Sequence, residues 1–173
     1  MDQLFIIECF LFIIAWLACS AGDIPVHPSL DVQKVSGKWY PVRTAKGDPA
    51  ERPYKAFTLE PFGKRDLILN VEIPQGNTCL VKKIVFNNVR PGVFRSEDGT
   101  TTIHIVDTDY DTYQITHYVS GNLILLHLNG REKKLPSSMQ QKFLAWVKKL
   151  KFNPEWLFDL REEDLCTTSP KAP

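Results

Sequence analysis

The chain has 173 residues, with 21 Lys and Arg against 20 Asp and Glu and a formal net charge of +1 at pH 7. That length suits one domain. The balanced charge, with no long block of one sign, argues against nucleic acid or an anionic surface as partner, and the short basic runs at Lys133-Lys134 and Lys148-Lys149 read as solvated faces.

Residues 4–18 are almost wholly apolar, broken at Glu8 and Cys9, and small residues follow at Ala18, Ser20, Ala21 and Gly22. This is the plan of a secretory signal peptide over residues 1–21, cleaved between Ser20 and Asp23, although Asp2 stands in a region that is usually basic. A membrane anchor is a second reading, for which the stretch is short of the roughly twenty residues a span needs. Lipidation at Cys19 is a third, and Trp16-Leu17-Ala18 fit it poorly. Without the leader, all 21 basic residues face 18 acidic ones, a net +3. Two of the four cysteines lie in the leader, leaving Cys79 and Cys166. Two cysteines in a secreted, extracellular chain most simply form one disulfide. It would close a loop of about 87 residues, worth on the order of 4 kcal/mol in the chain-entropy model, less any strain. No Asn-x-Ser/Thr sequon is present, so N-glycosylation is not expected.

The domain proper is expected over residues 22–166. It opens with an irregular arm, Asp23 to Val35, marked by Pro25 and Pro28. Strand-like segments then recur at the roughly 8–12-residue spacing of an all-β sandwich or barrel. They run Trp39–Ala45, Tyr54–Phe62, Asp66–Ile73, Cys79–Asn87, Gly92–Ser96, Thr101–Asp107, Thr112–Val119 and Asn122–Asn129. Turn residues separate them, as at Phe62-Gly63-Lys64, Pro91-Gly92, Asp98-Gly99 and Ser120-Gly121-Asn122. Turns this short imply antiparallel neighbours in sequential order, a meander that can close into an up-and-down barrel without exposed edges. One helix follows, with Ser137 or Ser138 as its cap. Its apolar stripe, Met139, Phe143, Trp146, Val147 and Leu150, needs the outer wall of the barrel to cover it. Trp156-Leu157-Phe158 reads as a short final strand, and the tail 167–173 as disordered.

Alternation also assigns faces. Leu67, Leu69, Val71 and Ile73 share one, as do Ile103 and Ile105. Leu123 to Leu128 is apolar on both faces, as a strand buried on both sides would be.

Three short motifs stand in order along this pattern: Gly37-Lys38-Trp39 at the head of the first strand, Thr108-Asp109-Tyr110 after the sixth, and Gly130-Arg131 after the eighth. Together they resemble the three signature regions of the lipocalins. Cys79 to Ile84 and Val106 to Tyr113 resemble strands of β-lactoglobulin-like milk lipocalins, and Asn129-Gly130-Arg131-Glu132 is similar to the rodent urinary and odorant carriers. The resemblance implies an all-β fold: an eight-stranded antiparallel barrel with one C-terminal helix packed outside and a cavity open at one end. It implies that Trp39 plugs the closed end with the Arg131 guanidinium across its ring, that Gly37 permits close approach there, and that Thr108, Asp109 and Tyr110 fix a turn at the same end. The Cys79–Cys166 bridge matches the family pattern.

Carrying over the inward parity of each strand gives a ligand-binding list of Phe57, Leu67, Leu69, Val71, Ile84, Phe86, Phe94, Ile103, Ile105, Thr116, Tyr118, Leu125 and His127. Such a lining suits a small apolar ligand held by desolvation, with hydrogen bonds from Tyr118 or Thr116 to orient it. The same side chains could instead fill the barrel. His127, if inside, would weaken apolar binding by protonating in the neutral-to-acid range.

Other chemistries find little support. His27 lies in the arm, His104 and His117 fall on the outward parity, and His127 falls inward, so the histidines do not converge as a zinc site requires. No Gly-x-Ser-x-Gly elbow occurs. Prostaglandin D synthase is a lipocalin enzyme that uses a cavity cysteine, and here both mature cysteines are taken by the expected bridge. The sequence therefore points to a secreted, non-catalytic carrier of a small hydrophobic molecule such as an odorant, pheromone, retinoid or fatty acid, with no cofactor, no metal and no stable membrane association. A protein partner at the open-end loops (a second copy or a cell-surface receptor) and a nutritive milk role are the alternatives.

Overall fold

A computed structural model of the chain describes residues 24–47, 56–75 and 78–159. The leader, residues 48–55 with the expected strand start at Tyr54, the side chain of Cys79, Cys166 and hence their pairing, and the tail lie outside the described residues. The elements in chain order are α1 (Val32–Val35), β1 (Gly37–Lys46), β2 (Phe57–Phe62), β3 (Asp66–Gln75), β4 (Thr78–Arg90), β5 (Val93–Ser96), β6 (Thr101–Thr108), β7 (Tyr113–Ser120), β8 (Leu123–Gly130), α2 (Ser137–Lys149) and β9 (Leu157–Asp159).

From β2 to β8 each strand pairs antiparallel with the next, and β1 joins β8 to β2, closing the sheet on itself. β1 touches β2 only over Gly37–Trp39. Farther along, β9 takes the vacated side of β1, pairing Arg43 with Asp159 and Ala45 with Leu157. A 3-10 turn, Pro154–Trp156, leads into β9, with Asn153 accepting from the Glu155 amide.

Two apolar clusters lie on the two sides of one wall. Inside the barrel are Trp39, Leu67, Leu69, Val71, Phe86, Phe94, Ile103, Ile105 and Leu125. Outside, Val106, Ile115, Leu126 and Leu128 meet Phe143 and Val147 of α2. The run in β8 is apolar on both faces for this reason: Leu125 looks in while Leu126 and Leu128 lie under the helix. Phe143 and Val147 are fully covered, each burial worth about 1.5–3 kcal/mol.

Two local expectations are corrected. The arm is not wholly irregular, because Asp31 accepts hydrogen bonds from the amides of Gln33 and Lys34 and starts the single turn α1. The cap of α2 is Pro136, without a side-chain cap; Ser137 is already helical. The Pro136 carbonyl accepts the amides of Met139 and Gln140, and the Gln140 side chain turns back to the Leu135 carbonyl.

Candidate functional site

The closed end is built by α1, the start of β1 and the turn between β6 and β7. Thr108 receives the Tyr110 amide, and Asp109 accepts the amides of Thr112 and Tyr113. Burial would raise the Asp109 carboxyl, but these donors outweigh it and hold it below its ordinary range. Tyr110 sits at φ 70, in the left-handed region. Its carbonyl accepts Arg131 Nε at 3.0 Å, and its hydroxyl accepts the Asp31 amide.

Arg131 extends from there across the floor. Its guanidinium lies 3.7 Å from the Trp39 ring centroid and donates to the carbonyls of Lys38 and Lys34. Trp39 is wholly buried, with its indole N–H donating to the Val35 carbonyl at 2.8 Å. Gly37 makes the stack possible: its φ is +102, and a Cβ there would stand 2.9 Å from an Arg131 nitrogen.

Above this floor a narrow cavity of about 50 Å³ is lined by Pro41, Phe57, Leu59, Leu67, Leu69, Phe86, Phe94, Ile103, Ile105, Gln114, Thr116, Tyr118, His127 and Asn129. Toward the open end a wider hollow of about 510 Å³ lies between Val71, Ile84 and Tyr118 and the turn bearing Ser96, Asp98 and Thr101. Leu125 belongs to the interior cluster without lining either space. The inward list is thus spread over two levels, with Val71 and Ile84 at the upper one.

Four residues lining the narrow cavity escaped the parity list: Pro41, Leu59, Gln114 and Asn129. Gln114 precedes Thr116 by two and Asn129 follows His127 by two, so alternation alone places both inside. Gln114 and Asn129 are cross-strand partners, as are Thr116 and His127 one rung up. The Asn129 amide donates to the Thr116 hydroxyl at 3.2 Å, and that hydroxyl donates to the Gln114 carbonyl oxygen at 3.1 Å. Thr116 is therefore already engaged with its two neighbours.

His127 is buried and exchanges a hydrogen bond between Nδ1 and Thr44 at 2.9 Å. Burial, with His117 a lesser influence, holds its pKa down to about 4, so the expected titration in the neutral-to-mildly-acid range is displaced below it. His104 and His117 pair on the outer face with ring centroids 5.4 Å apart, and His117 also meets Phe152. His27 packs against Tyr110. Among the described residues no group of three or more His, Cys, Asp or Glu is placed to hold a metal, and no helix is long and apolar enough to cross a membrane.

A sequence profile of the lipocalin / cytosolic fatty-acid binding protein family matches residues 36–164. The chain is a lipocalin. It is 25% identical over 163 residues to a lipocalin of Rhinella marina, covering 86% of this chain and 89% of the relative. It is 26% identical over 150 residues to major urinary protein 5 of Mus musculus, covering 80% and 83%. A solved structure of the siderocalin Ex-FABP superposes with a TM-score of 0.65 at 22% identity, covering 75% of this chain and 95% of that one. Lipocalins bind small hydrophobic molecules, and in this lipocalin the apolar cavity is lined by residues of the same interior cluster to which Trp39 belongs.

Proposed function

We propose that this lipocalin is a secreted, non-catalytic carrier that holds a small apolar molecule in the barrel, above the Trp39–Arg131 floor. The observation that carries the reading is the interior wall of Leu67, Leu69, Phe86, Phe94, Ile103 and Ile105, all nine-tenths or more buried and facing open space. Aromatic and branched aliphatic walls with few polar groups hold ligands chiefly by desolvation. The narrowness of the lower cavity favours a slender or compact ligand, of odorant or fatty-acid type, over a broad ring system. Secretion is supported by the leader-like first 21 residues.

Native mass spectrometry of the full chain, expressed in a secreting eukaryotic cell and recovered from the medium, tests both parts. The expected result is a chain shortened at Ser20–Asp23 with a co-purifying small molecule, or an empty barrel that takes up N-phenyl-naphthylamine and releases it to added apolar ligands. A full-length, cell-retained chain would overturn secretion. A chain that neither carries a ligand nor takes up the probe would overturn the carrier reading.

A further inference from the structure

Gln114 and Asn129 are the least expected residues in the cavity. They are 1% and 0% exposed, yet Gln114 Nε2 and Asn129 Oδ1 have no hydrogen-bond partner among the described residues. A buried polar atom left this way is destabilising, and an apolar pair of the same shape would avoid that cost. The two atoms are the ends of one relay, Asn129 to Thr116 to Gln114, and all three side chains line the cavity.

The relay has a fixed chemical character. Thr116 holds a single hydroxyl proton and cannot donate to both amides; it accepts from the Asn129 amide and spends that proton on the Gln114 carbonyl oxygen. The amide that donates keeps a free carbonyl oxygen, and the amide that accepts keeps a free NH₂. Reversing both amides exchanges the ends without changing their sum. In either direction the wall presents one donor and one acceptor, side by side on paired positions of β7 and β8.

We propose that this relay is a polar subsite that recognises one neutral head group able to donate and accept at once, on an otherwise apolar ligand. A hydroxyl, an undissociated carboxylic acid or a primary amide meets that requirement. An ether or ketone offers no donor, and an ionised carboxylate offers none either. The cavity lining contains no Lys, Arg, Asp or Glu to balance a charged head. Apart from Tyr118 and His127 the remaining lining is hydrocarbon, which gives the ligand's body its place. This inference rests on the carrier reading and narrows its ligand class.

The test uses the mature chain loaded with N-phenyl-naphthylamine and displaced by three molecules of equal size: n-octanol, heptyl methyl ether and n-nonane. These keep both hydrogen-bonding functions, the acceptor alone, and neither. They are compared in the wild type and in Gln114→Met/Thr116→Val/Asn129→Leu. Octanol is expected to lose about tenfold or more in affinity in the triple variant, while nonane is held at least as tightly as before. The single variants Gln114→Met and Asn129→Leu, each removing one end, give smaller losses for octanol and keep the test open if the triple variant does not fold. Equal changes for octanol and nonane would overturn the subsite, with the relay's ends then satisfied by resident water, and would leave the carrier reading standing. Failure of the wild type to bind the probe would overturn both.

Discussion

At the residue scale the floor depends on one guanidinium. Arg131 covers the Trp39 ring and closes three backbone carbonyls from the arm, β1 and the β6–β7 turn. A partly desolvated cation over an indole is worth about 2 kcal/mol, and each hydrogen bond from a charged donor about 1.5–3. Arg131→Met is expected to destabilise by about 2–4 kcal/mol, read as a lower urea midpoint, and Arg131→Lys to recover only part, since an ammonium cannot span the three acceptors. Gly37→Ala should cost about 1–3 kcal/mol through its positive φ and the crowding of Arg131. Unchanged midpoints would count against this account of the floor. These residues were legible because three short motifs, in order and spacing, resemble the lipocalin signature regions. Gln114 and Asn129 were not, because polar side chains in an alternating strand read as solvent-facing, and only strict parity from Thr116 and His127 reveals them.

At the element scale, the two-sided wall formed by β7 and β8 explains why one helix suffices. The stripe of α2 was visible from spacing alone, and Phe143 and Val147 fill the outer face of that wall. Phe143→Ala is expected to cost about 3–5 kcal/mol. Because the phenyl lies outside the barrel, probe affinity measured well below the melting transition should stay within about twofold of the wild type, since little free energy is shared across separate clusters. A large loss of affinity at full folding would show that the wall transmits the defect inward. The strands were readable to within a few residues because their turns carry Gly, Pro, Asn and Asp. α1 was hidden: four residues show no periodicity, and the cap from Asp31 is visible only once the backbone turns.

For the whole molecule, the barrel stores neutral histidines on both sides of its wall. Burial holds His117 and His127 at about 4 against an ordinary 6.5, with His104 and His117 respectively as lesser influences. Between those limits the unfolded chain takes up protons that the folded chain refuses. Stability is therefore level above about pH 6.5 and falls as the pH drops toward 4, by up to about 3 kcal/mol for each histidine. Urea midpoints at neutral pH and near pH 4.5 check this, and a His117→Leu/His127→Leu variant should show a shallower fall. The all-β class followed from spacing and turn chemistry. Closure followed from the resemblance, because pairing between the first and last strands leaves no local mark in a sequence.

That long-range pairing also bears on how the chain comes into being. β1 shares three residue pairs with β2, whereas its main partner, β8, begins 77 residues after β1 ends, and β9 arrives later still. While the ribosome is still making the second half, the first strand has almost nothing to hold. Hairpins from β2 to β7 can form as they emerge, but the ring is joined only after synthesis is nearly complete. The slow, committing event in folding is then the capture of the oldest strand by the newest, as expected where contacts span most of the chain.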